Sequence, residues 1–230
     1  MTRVSSADFN SFVQANVEGT RQAVLETLDS VEARILGCLV EKEATTPDQY
    51  PLTANAIVLA CNQKNNREPV LELEAGAVGH ALRQMAERGL VRVVDGARAL
   101  RYDHRFAQHW SLTTRQAALL AVLILRGPQT LAELHARSER LAPPAEMEQS
   151  RLALERLFQR SPALVINLGH GAGQREDRYM HLLCGPVAAA DFVKSAPAPS
   201  ARGGLDARVE ALEAEVAALR DALQALCEGR

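Results

Sequence analysis

In the stretch His80–Val94, HALRQMAERGLVRVV, the periodicity of the apolar residues changes from that of a helix to that of a strand. Val78, Leu82 and Met85 recur at the three- and four-residue spacing of a helix with one buried face. Gly89 is a typical helix stop, and LVRVV is rich in the β-branched residues of strands. The stretch therefore predicts a helix followed directly by the first strand of a hairpin, whose turn contains Asp-Gly.

Two more helices are predicted before this one. VEARILGCLVEKEATT begins at Val31 and keeps a helical apolar spacing until Thr-Thr-Pro ends it. ANAIVLACNQK is a second helix that Thr53 can cap, whereas the third begins at Glu74, a weaker cap than Ser or Thr. Three helices and then a hairpin is the order of a winged helix-turn-helix domain, in which the hairpin is the wing. We predict such a domain over residues 31–110.

The same order recurs in the following part of the chain. TTRQAALLAVLILRGP, TLAELHARS and AEMEQSRLALERLFQR predict three helices, the last with Met147, Leu154, Leu157 and Phe158 on one stripe. ALVINL and DRYMHLL predict strands around the tip GHGAGQRE. The predicted fold class is therefore mainly α with small β-hairpins (α+β), as tandem winged helix-turn-helix domains, the second over residues 111–186.

The two ends of the chain differ from this core. Residues 1–30 form a polar extension, and residues 187–204 an Ala/Pro/Gly-rich linker. Residues 205–230 predict a coiled-coil helix, because its apolar residues alternate at spacings of four and three. Opposite charges flanking the seam favour a parallel pair, so we expect a homodimer. The seam is Leu205, Val209, Leu212, Val216, Leu219, Leu223 and Leu226.

The segment Asn62–Glu68, NQKNNRE, is densely polar and has two interpretations. In one, it is a turn between helices: an asparagine takes the left-handed conformation, Pro69 prevents continuation, and Arg67 bonds exposed carbonyls. In the other, its side chains face outward and contact phosphates while the third helix enters a DNA major groove. The outward set would be Lys64, Asn65, Asn66 and Arg67.

Other candidate DNA contacts lie on the third helix and on the first hairpin. The helix residues outside the core include types that read base edges, and the hairpin arginines suit phosphates. An ordinary charged surface is the alternative in both places. The candidates are His80, Arg83, Gln84, Arg88, Arg92, Arg98, Arg101 and Arg105. In the second domain, Glu148 and Glu155 can form local salt bridges with Arg151, which makes that helix a weaker candidate.

Several long strings resemble those of one family. TTPDQYPL, ACNQKNNREPV and RYMHL are similar to strings of the YceH-like family of bacterial proteins of unknown function. The resemblance extends from residue 31 to about residue 226. It implies two winged-helix domains and a self-associating bacterial protein, and it supplies no catalytic or ligand-binding residue. The chain departs from the family in the first wing, where DGARAL makes a short turn.

Enzyme and metal sites are not predicted. The six histidines and four cysteines show no metal-ligand spacing, and GHGAGQRE lacks the Gly-Lys-Ser/Thr of a phosphate-binding loop. We therefore expect no catalytic residue, no metal and no cofactor. The cysteines form no CxxC, the N-terminus has no apolar signal segment, and the longest apolar run is too short for a bilayer. These features predict a cytoplasmic protein with reduced thiols and no membrane partner.

Two functional hypotheses remain from the sequence. The arginine-bearing hairpin, the tandem domains and the heptads favour a homodimeric DNA-binding protein, such as a transcriptional regulator. The net charge of -2 favours the alternative, a protein-interaction scaffold that uses winged helices as docking modules.

Overall fold

The computed structural model describes residues 27–96, 99–170 and 176–187. Helices and short antiparallel strands alternate in this part of the chain, which confirms the α+β class. Residues 1–26 of the predicted extension, residues 188–204 of the predicted linker, the predicted coiled coil with its seam, and Arg98 lie outside the described residues. Within the described residues, no helix has both the length and the apolar character needed to cross a membrane.

The first repeat contains three helices, a 3₁₀ turn and three strands. Asp29 caps the first helix by accepting hydrogen bonds from the amides of Val31 and Glu32, both at 2.8 Å. Thr53 caps the second helix, as predicted. The elements are α1 (Ser30–Thr45), the 3₁₀ turn (Pro47–Gln49), β1 (Leu52–Thr53), α2 (Ala54–Cys61), α3 (Ala75–Glu87), β2 (Val91–Val94) and β3 (Arg101–His104).

A short helix, α4 (Phe106–His109), joins the first repeat to the second. Thr113 and Gln116 form a capping box at the start of the next helix, and Gly127, with a φ of 69°, ends it. The elements of the second repeat are α5 (Thr114–Arg126), β4 (Gln129–Thr130), α6 (Leu131–Ser138), α7 (Met147–Phe158), β5 (Val165–Gly169) and β6 (Arg178–His181).

The two sheets repeat each other in detail. Their strand orders are β1-β3-β2 and β4-β6-β5, and the central strands carry the sequences RYDH and RYMH. Arg101 Nη1 donates to the Pro51 carbonyl at 2.7 Å, and Arg178 Nη1 donates to the Pro128 carbonyl at 3.0 Å. The duplication read from the sequence is therefore present in the sheet contacts as well.

The described apolar core is continuous across both repeats. Helix α5 is buried from Gln116 to Leu125 and packs against α1. At Gly37 of α1 a Cβ atom would lie only 2.8 Å from Ile124 Cγ2, so the absence of a side chain permits this approach. The two repeats therefore stabilise each other by shared burial.

Three local features differ from the sequence predictions. Leu52 and Thr53 pair with β3 as a third strand, and neither this strand nor helix α4 was predicted. Met147 is 42% exposed, so it does not belong to the buried stripe of α7. The buried stripe of α7 begins at Ser150, because Met147 is the first residue of the helix and does not reach the core. Its members are Ser150, Ala153, Leu154 and Leu157.

Candidate nucleic-acid interface

The polar segment between α2 and α3 is closed by Asn62. Its Nδ2 donates to the Leu73 carbonyl at 2.9 Å, and its Oδ1 accepts from the Leu73 amide at 2.8 Å. Asn66 has a φ of 63°, which confirms a left-handed asparagine in the turn. The segment is therefore a hydrogen-bonded turn, whose tip residues Lys64 and Asn65 are exposed.

Arg67 points inward, so its assignment to the outward set was wrong. Its side chain is buried, and its two Nη atoms donate to the Glu41 carboxylate at 3.1 and 2.5 Å. The Nε atom donates to the Ala60 carbonyl at 3.1 Å. Burial lowers the pKa of Arg67, but the bond to Glu41 raises it above its ordinary value. The guanidinium therefore stays charged, and its donors are occupied within the fold.

The same segment is attached to the second repeat. The Glu68 amide donates to the Leu125 carbonyl at 2.7 Å, and Arg126 Nη2 donates to Asn66 Oδ1 at 2.6 Å. From the first repeat, Arg34 Nη2 donates to the Pro69 carbonyl at 2.7 Å. Both repeats thus determine the shape of the segment, and Asn66 is exposed with its oxygen already bonded.

Helix α3 presents an outward face beside this turn. Val78, Ala81, Leu82 and Met85 are buried, as the periodicity predicted for three of them. Glu74 makes no side-chain hydrogen bond to the start of the helix. The exposed residues of α3 include three of the candidates, His80, Arg83 and Gln84, together with the acidic Glu87.

The remaining basic candidates differ in what they contact. Arg88 Nη1 bonds Glu32 Oε1 at 2.6 Å, which joins the end of α3 to α1. Arg101 bonds the Pro51 carbonyl, as described above, and so connects β3 to the 3₁₀ turn and β1. These two arginines stabilise the fold, because their partners lie within the first repeat. The structure therefore does not support their assignment as DNA contacts.

Two hairpin cations lie nearer to solvent. Arg92 is 55% exposed at its side chain and bonds Asp103 Oδ2 at 2.7 Å. Arg105, directly after β3, is half-buried. Both line an open depression between the end of α3, the hairpin and α4. Fewer basic side chains are therefore open to a DNA phosphate backbone than the sequence predicted.

A network behind the hairpin was missed from the sequence. Tyr50 Oη donates to Asp103 Oδ1 at 3.0 Å and accepts from the His104 amide at 2.7 Å. His104 Nδ1 accepts from the Phe106 amide, so Nε2 carries the hydrogen that it donates to Glu43 Oε2 at 2.9 Å. Burial raises the pKa of Tyr50. The pattern Arg-Tyr-x-His occurs in both repeats, and this recurrence could have identified His104 from the sequence.

Helix α7, the counterpart of α3, has a different surface. Arg151 bonds Glu148 at 2.5 Å and Glu155 at 3.5 Å, which confirms the predicted local salt bridges. Met147 and Leu152 are exposed on the same helix. No cluster of histidine, cysteine or acidic residues able to hold a metal ion occurs in the part of the chain that the structure describes.

Comparison with known proteins identifies relatives over nearly the whole chain. Residues 28–174 match a family model described as protein of unknown function, DUF480. The chain is 53% identical over 204 residues to the UPF0502 protein mll4256 of Mesorhizobium japonicum, covering 88% of this chain and 97% of that protein. It is 55% identical over 205 residues to the UPF0502 protein Smlt0097 of Stenotrophomonas maltophilia, covering 86% and 94%. These matches confirm the resemblance to an uncharacterised bacterial family, and the chain belongs to the DUF480 family, whose relatives carry the name UPF0502.

Proposed function

We propose that this protein, with tandem winged helix-turn-helix units, binds double-stranded DNA through the first unit and acts as a homodimeric transcriptional regulator in the cytoplasm. The observation that carries the proposal is the outward face of α3, which presents His80, Arg83 and Gln84 beside a β-hairpin. In winged helices the third helix enters the major groove, where arginine pairs with guanine and glutamine with adenine.

Flanking groups supply phosphate contacts. Lys64 and Asn65 lie exposed at the turn before α3, and Arg92 and Arg105 lie on the hairpin side. Backbone contacts of this kind position a protein on a duplex without reading its sequence. Because Glu74 and Glu87 are also exposed, at the two ends of α3, binding by one repeat alone is weak, and pairing two copies strengthens it.

The homodimer rests on the heptad seam at residues 205–226. Deleting residues 205–230 should halve the sedimenting mass, because the parallel coil that joins two chains is removed. Sedimentation velocity of the full and shortened chains at equal concentration measures this. An unchanged mass would assign dimerisation to another surface.

The DNA proposal is tested with Arg83→Ala. We expect the full-length protein to retard duplex DNA at low salt, with affinity falling steeply as salt rises. Loss of the Arg83 guanidinium should weaken binding by roughly 1–3 kcal/mol if it reads a base edge. Lys64→Ala should instead lower the salt slope by about one, as expected for one lost phosphate contact.

The matched control is Arg151→Ala, on the third helix of the second repeat. Its guanidinium is also exposed, but it is paired with Glu148 and Glu155. We expect this variant to bind DNA like the unmodified protein. Equal weakening by both substitutions would show that α3 is not the reader, and absence of retardation at low salt would end the DNA proposal.

Docking of another protein is the second candidate function. It is favoured by Met147 and Leu152, which are 42% and 41% exposed on α7 beside the charge-neutralised Arg151. Exposed apolar side chains among balanced charges suit a protein partner better than a polyanion. A salt-independent complex that is lost with Leu152→Asp and kept with Arg83→Ala would support this function.

A further inference from the structure

The open depression beside the first hairpin has the size of a site for a small molecule. It lies between the end of α3, α4 and β2, which is an outer strand of its sheet. Its volume is about 560 Å³. Ligand sites in proteins usually measure about 300–1,000 Å³, so a small organic molecule fits here.

Part of the lining of this depression is apolar. Val91 and Val93 lie two residues apart on β2, so their side chains point to the same side of the sheet. Val91 is buried but Val93 is 43% exposed, and the half-buried Ala86 of α3 also lines the depression. The hydrocarbon part of a ligand can therefore cover apolar surface that is now in water, which favours binding.

The polar part of the lining is positively charged. Arg92 donates from Nη2 to Asp103 Oδ2, but its side chain is 55% exposed, so other donors of its guanidinium face solvent. Arg105 is half-buried, and its guanidinium has no hydrogen-bond or ion-pair partner among the described residues. None of the described residues that line the depression is acidic. An anion would supply the partner that a partly desolvated guanidinium lacks.

We propose that this depression binds a small organic carboxylate. Guanidinium and carboxylate groups form short, charge-assisted hydrogen bonds, often two in parallel. The carboxylate is held by Arg92 and Arg105, and the apolar part of the molecule covers Val93 and Ala86. Inorganic phosphate would meet the arginines but would leave the valine surface in water, and a cation would be repelled.

Occupation of the depression would also regulate DNA binding, an effect that rests on the proposed function. Arg92 and Arg105 are the hairpin groups assigned above to DNA phosphates. The same donors cannot serve a bound carboxylate and a phosphate at once, so the two ligands compete. At a carboxylate concentration ten times its Kd, exclusive competition should weaken DNA binding by about tenfold.

Isothermal titration calorimetry of the full-length protein tests the site, with 2-naphthoate as the probe. We expect saturable binding of 2-naphthoate. The neutral 2-naphthylmethanol should bind about tenfold more weakly, because it cannot form the charge-assisted hydrogen bonds. Inorganic phosphate should also bind more weakly, since it has no apolar part. Equal binding of either compound, or no binding of 2-naphthoate at millimolar concentration, would overturn the proposal.

Three variants test the location of the site. Arg105→Gln should weaken 2-naphthoate binding by about tenfold, because the guanidinium without a partner in the fold is lost. Val93→Asp should also weaken it, since a carboxylate replaces the apolar surface. Arg156→Gln is the matched control, because its guanidinium is exposed on α7 and does not line the depression. Circular dichroism verifies the fold of each variant, and equal affinity of Arg105→Gln and Arg156→Gln would overturn the assignment.

Gel retardation of duplex DNA tests the competition separately. Retardation should be weaker in 2-naphthoate than in sodium chloride of equal ionic strength, and Arg105→Gln should reduce this difference. Equal retardation in the two salts would overturn the competition. Binding of 2-naphthoate by a protein that retards no DNA would support the site and end only the DNA proposal.

Discussion

At the scale of single residues, Arg67 and Arg92 show how burial changes the value of one ion pair. The Arg67 guanidinium is inaccessible and bonds both oxygens of Glu41. Arg92 is 55% exposed and bonds one oxygen of Asp103. Water screens the second pair, whereas loss of Arg67 leaves a carboxylate and several carbonyls without donors.

Arg67→Met should therefore lower the free energy of unfolding by about 3–5 kcal/mol, the cost of breaking a buried pair from one side. Arg92→Met should lower it by no more than about 1 kcal/mol. Urea denaturation of both variants at neutral pH measures the difference. Similar losses in the two variants would mean that the Arg67–Glu41 pair contributes no more than a surface contact.

One interpretation of the sequence, a turn in which Arg67 bonds exposed carbonyls, is confirmed, but the sequence could not indicate that Arg67 pairs with Glu41. Two adjacent asparagines and a proline predict a helix end from local conformation alone. The partner of Arg67, Glu41, lies on α1 and is 26 residues away in the chain. An arginine in a polar segment usually faces water, and only the tertiary packing of α1 against α2 reverses that preference.

At the scale of elements, two glycines within helices have opposite roles. A Cβ at Gly37 would lie 2.8 Å from Ile124 Cγ2 and 3.0 Å from Leu125 Cδ2. At Gly79 of α3, the nearest atom to a Cβ is Arg83 Nη1 at 3.9 Å, at the end of a flexible side chain. Both positions are in regular helix, so only the surroundings distinguish them.

We expect Gly37→Ala to destabilise the protein, because overpacking costs about 1–3 kcal/mol and outweighs the helix propensity that alanine adds. Gly79→Ala should stabilise it by up to about 1 kcal/mol, since alanine favours helix and meets no clash. Thermal unfolding of the two variants measures both effects. Stabilisation by both substitutions would show that α1 and α5 can separate without loss.

Long periodic elements were predictable, and short ones were not. Helices α1, α3 and α5 follow from apolar spacing and capping residues. Helix α4 has four residues and β1 has two, too few for any periodicity. Strand β1 exists because Leu52 pairs with Tyr102, a contact between distant parts of the chain.

At the scale of the whole molecule, the two repeats differ in how they accommodate the histidine of Arg-Tyr-x-His. In the first repeat, His104 has partners at both ring nitrogens, the Glu43 carboxylate and the Phe106 amide. In the second, His181 is buried and its Nδ1 has no hydrogen-bond partner among the described residues. Burial lowers the pKa of His181 to about 4.

Global stability should consequently fall on acidification. The folded pKa of His181 is depressed below its unfolded value, so the unfolded chain binds the proton more readily. The contribution is complete above about pH 6.5 and is lost as pH falls toward 4, with a maximum of about 3 kcal/mol. Urea denaturation at a series of pH values measures the free energy of unfolding. Between about pH 6.5 and 4 that free energy should fall less steeply for His181→Gln than for the unmodified protein. Identical dependence of stability on pH in the two proteins would contradict this origin.

The duplication was predictable at this scale, but the common core was not. The apolar run from Ala117 to Leu125 is continuous, which indicates a helix buried on all sides. The apolar run alone does not indicate which element packs against this helix. The contact of α5 with α1 depends on Gly37, whose role is not visible from helix periodicity.

The hydrogen bond from the Glu68 amide to the Leu125 carbonyl has a consequence for protein engineering. The conformation of the turn after α2 is specified by an acceptor at the far end of another helix, and not by its own residues alone. Grafting residues 62–73 onto a different scaffold would leave that acceptor behind, together with the Arg126 side chain. A transplanted turn would keep the motif and lose its shape unless the last turn of α5 were carried with it.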